Sequence, residues 1–235
     1  MHVSGSVAAG AAVDMTAAAE TTINGDVTAT SDVSLDAGGD VTISGDVTAT
    51  AGTLDISTDA NLSVSDTLTS GGTMLLDAQL GNIDLTSTSS SSAGGTLTIL
   101  SGGTLGVAGP LTSFGTTLTA SGDAMFSGDV HSAAGALDID AASLNWSGNA
   151  VAGTLDVDLS SGDATIAGDL TIAAAVTIDA AAGTAIDGTV SAGGSVSVAS
   201  DGISVSGSVD SGLSVTLNSG SSPPPVSRCR SSASS

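Results

Sequence analysis

The sequence predicts an all-β fold: a single-stranded parallel β-helix, or β-solenoid, of about eleven coils with about twenty residues in each. Three observations lead there. First, a small residue, a polar residue and then Val or Leu recur at that interval, at Gly5-Ser6-Val7, Gly25-Asp26-Val27, Gly45-Asp46-Val47 and Ser65-Asp66-Thr67-Leu68. The triplet returns at Gly109-Pro110-Leu111, Gly128-Asp129-Val130, Gly148-Asn149-Ala150, Gly168-Asp169-Leu170, Gly188-Thr189-Val190 and Gly207-Ser208-Val209. Second, apolar and polar residues alternate with period two inside each repeat, which is the strand period and not the helical one. Third, the alternating runs are very short and are separated by turn signals. Such runs suit strands that pair with their counterparts one coil away, since hairpins of this size bury little core.

The stretch Val41 to Ala60 shows one coil in order. Val41 and Ile43 flank Thr42; Gly45-Asp46 interrupts; Val47 and Ala49 flank Thr48. Ala51-Gly52 interrupts again, and Leu54 and Ile56 flank Asp55. Matching positions in adjacent coils then lie about 4.8 Å apart, which gives a rod roughly 50 Å long over residues 3–220. The preference of parallel crossovers predicts a right-handed coil. A lone coil does not fold, because the backbone entropy of ordering it exceeds what its few buried aliphatic side chains return.

Between Leu68 and Gly109 the spacing stretches, and the run Ser89-Ser90-Ser91-Ser92 before Gly94-Gly95 reads as a surface loop inserted into one coil. After Gly220 the pattern stops, and the Pro- and Ser-rich residues 221–235 read as a disordered tail. No polar cap precedes Val3 and no capping helix follows Gly220. Open strand edges at both ends imply a segment of a longer chain or a rod that stacks end to end on itself.

Composition narrows the function classes. The chain has no Tyr, one Trp and two Phe, so the interior is narrow and aliphatic. Net charge is −22, and both arginines, Arg228 and Arg230, lie beyond the repeats. Nucleic acid is excluded as a partner by the missing basic surface, and anionic membrane surfaces are excluded for the same reason. No segment is long and apolar enough to be read as a membrane span. Cys229 stands alone, so no disulfide framework exists. The opening MHVSGSVAAGAAVDM lacks a basic n-region, and Gly10 and Asp14 break its weakly apolar run, so no export signal is read there.

The stretch Asp32 to Thr58 resembles the haemagglutinin-type repeats of filamentous haemagglutinin and related large bacterial adhesins. The resemblance is carried by the LxAGGD-like turn (Leu35, Ala37, Gly38, Gly39, Asp40) and by the run Val41, Thr42, Gly45, Val47, Thr48, Ala49. It extends over most of residues 3–220. It implies an exported, non-catalytic rod at the cell surface or outside the cell. By the same resemblance, host or neighbouring-cell receptors are engaged by regions outside this segment, and the chain is a piece of the shaft.

Two outward features are candidates for chemistry. Asp26, Asp46 and Asp66 fall at one repeat position in three successive coils, and stacked unit charges at that spacing repel by about 1 kcal/mol in water. The column reads either as oxygen ligands for calcium or as a hydrated acidic face. Thr28 and Thr30 align with Thr48 and Thr50, and Thr69, Thr112 and Thr171 extend one of the columns. Flat threonine arrays resemble those of ice-binding proteins; the plainer reading is cross-coil threonine contact.

Catalysis finds no support. His131 falls on an outward position and His2 lies beside the first residue, with no nucleophile or zinc spacing specified around either. Asn61-Leu62-Ser63 and Asn145-Trp146-Ser147 match the N-glycosylation acceptor, as chance allows in a Ser-rich chain.

Overall fold

A computed structural model describes residues 1–220 and the backbone of residues 229–231. The described residues contain strands and turns and no helix. The chain is a β-solenoid with three strands in a typical coil, and every strand pairing is parallel. The coil read from sequence is present at its expected positions, as strands Val41–Ile43, Val47–Ala49 and Leu54–Thr58.

Each strand makes one face with its equivalents. The first face is an 11-stranded sheet that contains Val41–Ile43. The second and third faces contain Val47–Ala49 and Leu54–Thr58. They merge into a 21-stranded sheet because Val130–Ala141 and Ala150–Leu159 run unbroken from one face to the other. Register holds the repeat triplets in line: Val7 pairs with Val27, Val27 with Val47, Leu111 with Val130, Val130 with Ala150 and Val190 with Val209.

Period-two alternation decides what is buried. On the first face, Ile23, Ile43, Val64, Leu85, Val107, Phe126, Trp146, Ile166, Ile186 and Val205 form one inward column, each at most 1% exposed. Phe126 and Trp146 meet within it, with ring centroids 5.5 Å apart and planes tilted by 55°. Aromatic bulk fits there because Ala124, Ala150, Ala152 and Ala164 are the inward residues of nearby strands.

Where the second and third strands reach a corner, the inward position narrows to Ala, Ser or Thr in most coils, with Ile172 and Leu159 as exceptions. Ala29, Ala49, Ser70 and Ala93 succeed one another there, as do Ala37, Thr58 and Ala78. A hydroxyl in these columns satisfies corner carbonyls. Ser70 donates to Gly52 O at 2.9 Å or Thr73 O at 2.8 Å, Ser101 to Thr104 O at 2.9 Å, and Thr58 to Gly39 O at 2.6 Å.

The glycine at the first corner is required by close approach and not by backbone handedness. No described glycine has positive φ. A Cβ on Gly25 would lie 2.5 Å from the Gly5 carbonyl oxygen, and one on Gly45 would lie 2.6 Å from that of Gly25. Real Cβ atoms do not approach so closely, so Gly25 and Gly45 are held to glycine, whereas Asp66 takes the equivalent place in the next coil.

One expectation is corrected. The stretched spacing between Leu68 and Gly109 is not an outward loop. It is a tight turn at Thr86-Ser87-Thr88-Ser89, closed by Ser89 N–H to Thr86 O at 3.0 Å and tied to the coil below by the Thr88 hydroxyl on Ser65 O at 2.8 Å. The serine run continues as strand Ser90–Ala93, in register with Thr67–Ser70, and Ser89 and Ser91 are buried. Residues 221–235 are read from sequence as a tail. Most lie outside the described residues, but Cys229–Ser231 form a strand that pairs Cys229 with Val209 at the same coil period.

Candidate functional site

The acidic column is built differently from its sequence reading. Asp26 and Asp46 do stack, since Val27 pairs with Val47. Asp66 does not join them. Leu68 pairs with Val47, which puts Thr67 above Asp46 and Asp66 above Gly45. The slip arises because this coil is one residue longer than the one below it. Continuing upward, the column takes Ser90, Pro110, Asp129, Asn149, Asp169, Thr189 and Ser208, several of which the sequence reading did not assign to it.

These side chains are engaged by the main chain of the next coil. Asp26 Oδ1 accepts the Asp46 N–H at 3.2 Å, and Asp46 Oδ1 accepts the Thr67 N–H at 3.2 Å. Asp129 Oδ1 accepts the Asn149 N–H at 2.8 Å, Asn149 Oδ1 the Asp169 N–H at 3.1 Å, and Asp169 Oδ1 the Thr189 N–H at 2.9 Å. Asp66 turns to its own neighbour and accepts the Thr67 N–H at 3.0 Å.

The other two corners repeat the device. At one, Asp32 Oδ1 accepts the Thr53 N–H at 2.8 Å and the Thr53 hydroxyl at 3.1 Å; these two bonds, main-chain one first, lower the Asp32 pKa from its ordinary 3.8. At the other, Asp40 accepts from the Asn61 N–H, Asn61 from the Asn82 N–H and Asn82 from the Thr104 N–H, at 3.0, 2.9 and 2.8 Å. Other corner N–H groups bond to main-chain carbonyls of the coil below, and at these positions a side-chain oxygen takes the place of the carbonyl. Among the described residues, no group of three or more His, Cys, Asp or Glu side chains is arranged to hold a metal ion.

A denser acidic patch lies on the third face. Asp138 pairs with Asp156, Asp140 with Asp158, and Asp158 with Asp179. These outward carboxylates face one another across adjacent strands, about 4.8 Å apart. Partial burial, then repulsion from Asp140, Asp156 and Asp158, raises the Asp138 pKa above 3.8. Burial likewise raises Asp55, helped by Asp36, and Asp77, helped by Asp55.

The threonine column stands where the sequence places it. Thr28, Thr48, Thr69, Ser92, Thr112, His131, Val151, Thr171 and Ser191 follow one another along the outward side of the second face. Hydroxyls continue through the first five of these, and His131 and Val151 break the run. Thr30 and Thr50 are exposed at the adjoining corner, where Ser70-Gly71 follows in the next coil. His131 is exposed and has no catalytic partner in this column.

Open grooves mark places where outward side chains are small. One, of about 350 Å³, lies over Gly106 between Asp84 and Met125 and is bordered by Ala108 and Asn145. Another, of about 400 Å³, lies over Gly183, Ala185 and Gly202 beside Asp163. Neither contains a His, Cys or Lys side chain. Trp146, the chain's one tryptophan, is completely buried, and Phe114 is the exposed aromatic ring among the described residues.

Comparison with known proteins finds no matching family model, curated protein or solved structure.

Proposed function

We propose that this chain is a structural shaft, a non-catalytic rod segment of a bacterial cell-surface or secreted adhesin. The observation that carries the reading is the unbroken parallel ladder. Each coil is completed by the next through strand pairing and through corner carboxylates that reach one coil up. The inward positions are consumed by packing. The outward ones are mostly Thr, Ser and Asp, and hydroxyl–carboxylate pairs among them, such as Ser143 with Asp123 at 2.7 Å and Thr53 with Asp32 at 3.1 Å, tie one coil to the next at the corners. A solenoid of this kind sets a distance, about 4.8 Å per coil, and receptors are met by regions outside it.

The test is removal of whole coils. Deleting residues 27–46 joins Asp26 to Val47, which has the register of Val27. The shortened chain should remain folded and lose about 4.8 Å in length by small-angle scattering. On a cell that displays the parent protein, successive deletions should shorten the reach of adhesion and leave receptor affinity unchanged. Affinity that falls with each coil removed would move the binding function into the coils and overturn the shaft.

A second reading is a binding module, and the hydroxyl run Thr28, Thr48, Thr69, Ser92 and Thr112 favours it. It predicts thermal hysteresis and shaped ice crystals, which a plain shaft does not produce. The calcium form of that reading keeps Asp26 and Asp46 as stacked ligands, without Asp66, and predicts a melting temperature that falls with chelator and rises with calcium.

A further inference from the structure

Asn24 enters the first corner immediately before Gly25, and the packing described above holds that position to glycine. In other coils the residues at this place include Ser44, Ser65, Thr86, Ser147, Ala167 and Asp187. Asn24 is therefore a carboxamide placed against a residue that the fold keeps free of a side chain. A following glycine leaves nothing to crowd a five-membered ring closed between the asparagine side chain and the next main-chain nitrogen.

The surroundings separate Asn24 from other corner asparagines. Asn24 is exposed, and its carboxamide bonds to no described residue. The Gly25 N–H has a 3.3 Å contact to Val3 O, an acceptor already engaged by the Asn24 N–H at 2.8 Å. Asn61 and Asn149, in contrast, are held at both ends of the amide. Asn61 Nδ2 donates to Asp40 at 2.9 Å and its Oδ1 accepts the Asn82 N–H; Asn149 Nδ2 donates to Asp129 at 3.1 Å and its Oδ1 accepts the Asp169 N–H. Asn82 accepts the Thr104 N–H. Leu62, Ile83 and Ala150 follow these three and obstruct ring closure.

We propose that Asn24–Gly25 is a self-modification site, at which the folded chain deamidates through a succinimide without an enzyme. Solvent base takes the Gly25 amide proton, and the nitrogen attacks Asn24 Cγ. The Cγ–Nδ2 bond breaks, and Nδ2 leaves as ammonia after taking a proton from water. Water then opens the ring. Cleavage between Cγ and the Gly25 nitrogen gives aspartate, and cleavage between the main-chain carbonyl carbon and that nitrogen gives isoaspartate. No oxidant or reductant is involved. Either product adds negative charge beside Asp26. Isoaspartate also lengthens the main chain by one atom, between strands Thr21–Ile23 and Val27–Ala29. The corner is then out of step with Gly5 below and Gly45 above.

The experiment holds the purified full chain in mildly alkaline buffer, with a parallel sample in denaturant. Peptides are followed by mass spectrometry and by enzymatic methylation of isoaspartate. The Asn24 peptide of the folded chain should gain one mass unit and the isoaspartate label several-fold faster than the Asn61, Asn82 and Asn149 peptides, and faster still as pH rises. Asn24→Ser, the residue at the Ser44 and Ser147 corners, should abolish the label and keep the melting curve. Equal rates at the ladder asparagines, or modification of Asn24 in the denatured sample alone, would overturn the proposal.

Discussion

Asp32 and Thr53 meet across one coil boundary, where a single carboxylate oxygen receives both the main-chain N–H at 2.8 Å and the side-chain hydroxyl at 3.1 Å. That contact lets the second corner turn without leaving an N–H unbonded, and it depends on the ionised acid. The Asp32 pKa is lowered in the folded chain, so the sign is fixed. The stabilisation is fully present above the ordinary value of 3.8 and is lost as pH falls through the lower folded-state value.

Asp32→Ala should therefore lower the melting temperature at neutral pH and change it little in strong acid. Asp32→Asn, which keeps an acceptor oxygen and cannot ionise, should retain part of the stability and lose its dependence on pH. Melting curves of the three proteins across the acid range check both statements. Parallel curves for Asp32→Ala and the parent at every pH would show that the bond contributes nothing.

The acidic patch on the third face has the opposite sign. Asp138 is raised by partial burial and by Asp140, Asp156 and Asp158, so its charged form is disfavoured in the fold. The penalty is present above the raised folded-state value and disappears as pH falls below 3.8, where both folded and unfolded chains are protonated. Asp138→Asn should stabilise the chain by about 0.5 kcal/mol at neutral pH, a figure kept small because the group is largely solvated. Added salt should shrink the difference by screening, and acid should erase it. Denaturant titrations near neutrality and in acid measure this directly.

Sequence carried the inward half of the structure well, for a physical reason. Alternation in Val41-Thr42-Ile43 or Val47-Thr48-Ala49 is a local pattern with one solution once a face is buried. Corner chemistry is not local. Asp40 finds Asn61, and Asp129 finds Asn149, only after twenty or so intervening residues fix the register. Asp66 shows the limit. Its triplet looks like the preceding one, but an added residue shifts it onto the Gly45 position, and only the pairing of Leu68 with Val47 reveals the slip. The serine run misled in another way. Composition says loop, but Ser91 continues the inward column between Leu68 and Leu111.

That placement leaves Ser91 with a cost. Its hydroxyl is buried without a hydrogen-bond partner, as are those of Thr21 and Thr184. An unpaired buried hydroxyl costs about 1–3 kcal/mol. Thr184→Val removes the polar atom at nearly constant shape and should raise stability by about 1 kcal/mol. Ser91→Val should do at least as well, because Val also supplies methyl groups opposite Leu68 and Leu111. Chemical denaturation followed through the buried Trp146 reads both. Destabilisation by Thr184→Val would mean that its hydroxyl has a partner in solution.

The sharpest test of coil-on-coil packing is a single methyl group. A Cβ at Gly45 would sit 2.6 Å from the Gly25 carbonyl oxygen, and that oxygen belongs to a main chain fixed by pairing on both sides. Gly45→Ala must therefore separate the two coils locally. It should cost about 2–3 kcal/mol, the upper part of the range for overpacking a rigid site. At Gly10 a Cβ would meet nothing within 4 Å, so Gly10→Ala should be neutral or slightly stabilising through reduced freedom of the unfolded chain. Both positions are corner glycines in this chain, and helix or strand propensity alone does not distinguish them. Equal unfolding free energies for the two variants would mean that the coils do not approach as closely as 4.8 Å stacking requires. A large loss at Gly45 with none at Gly10 is the outcome expected where the Gly25 and Gly45 main chains meet without room for a side chain.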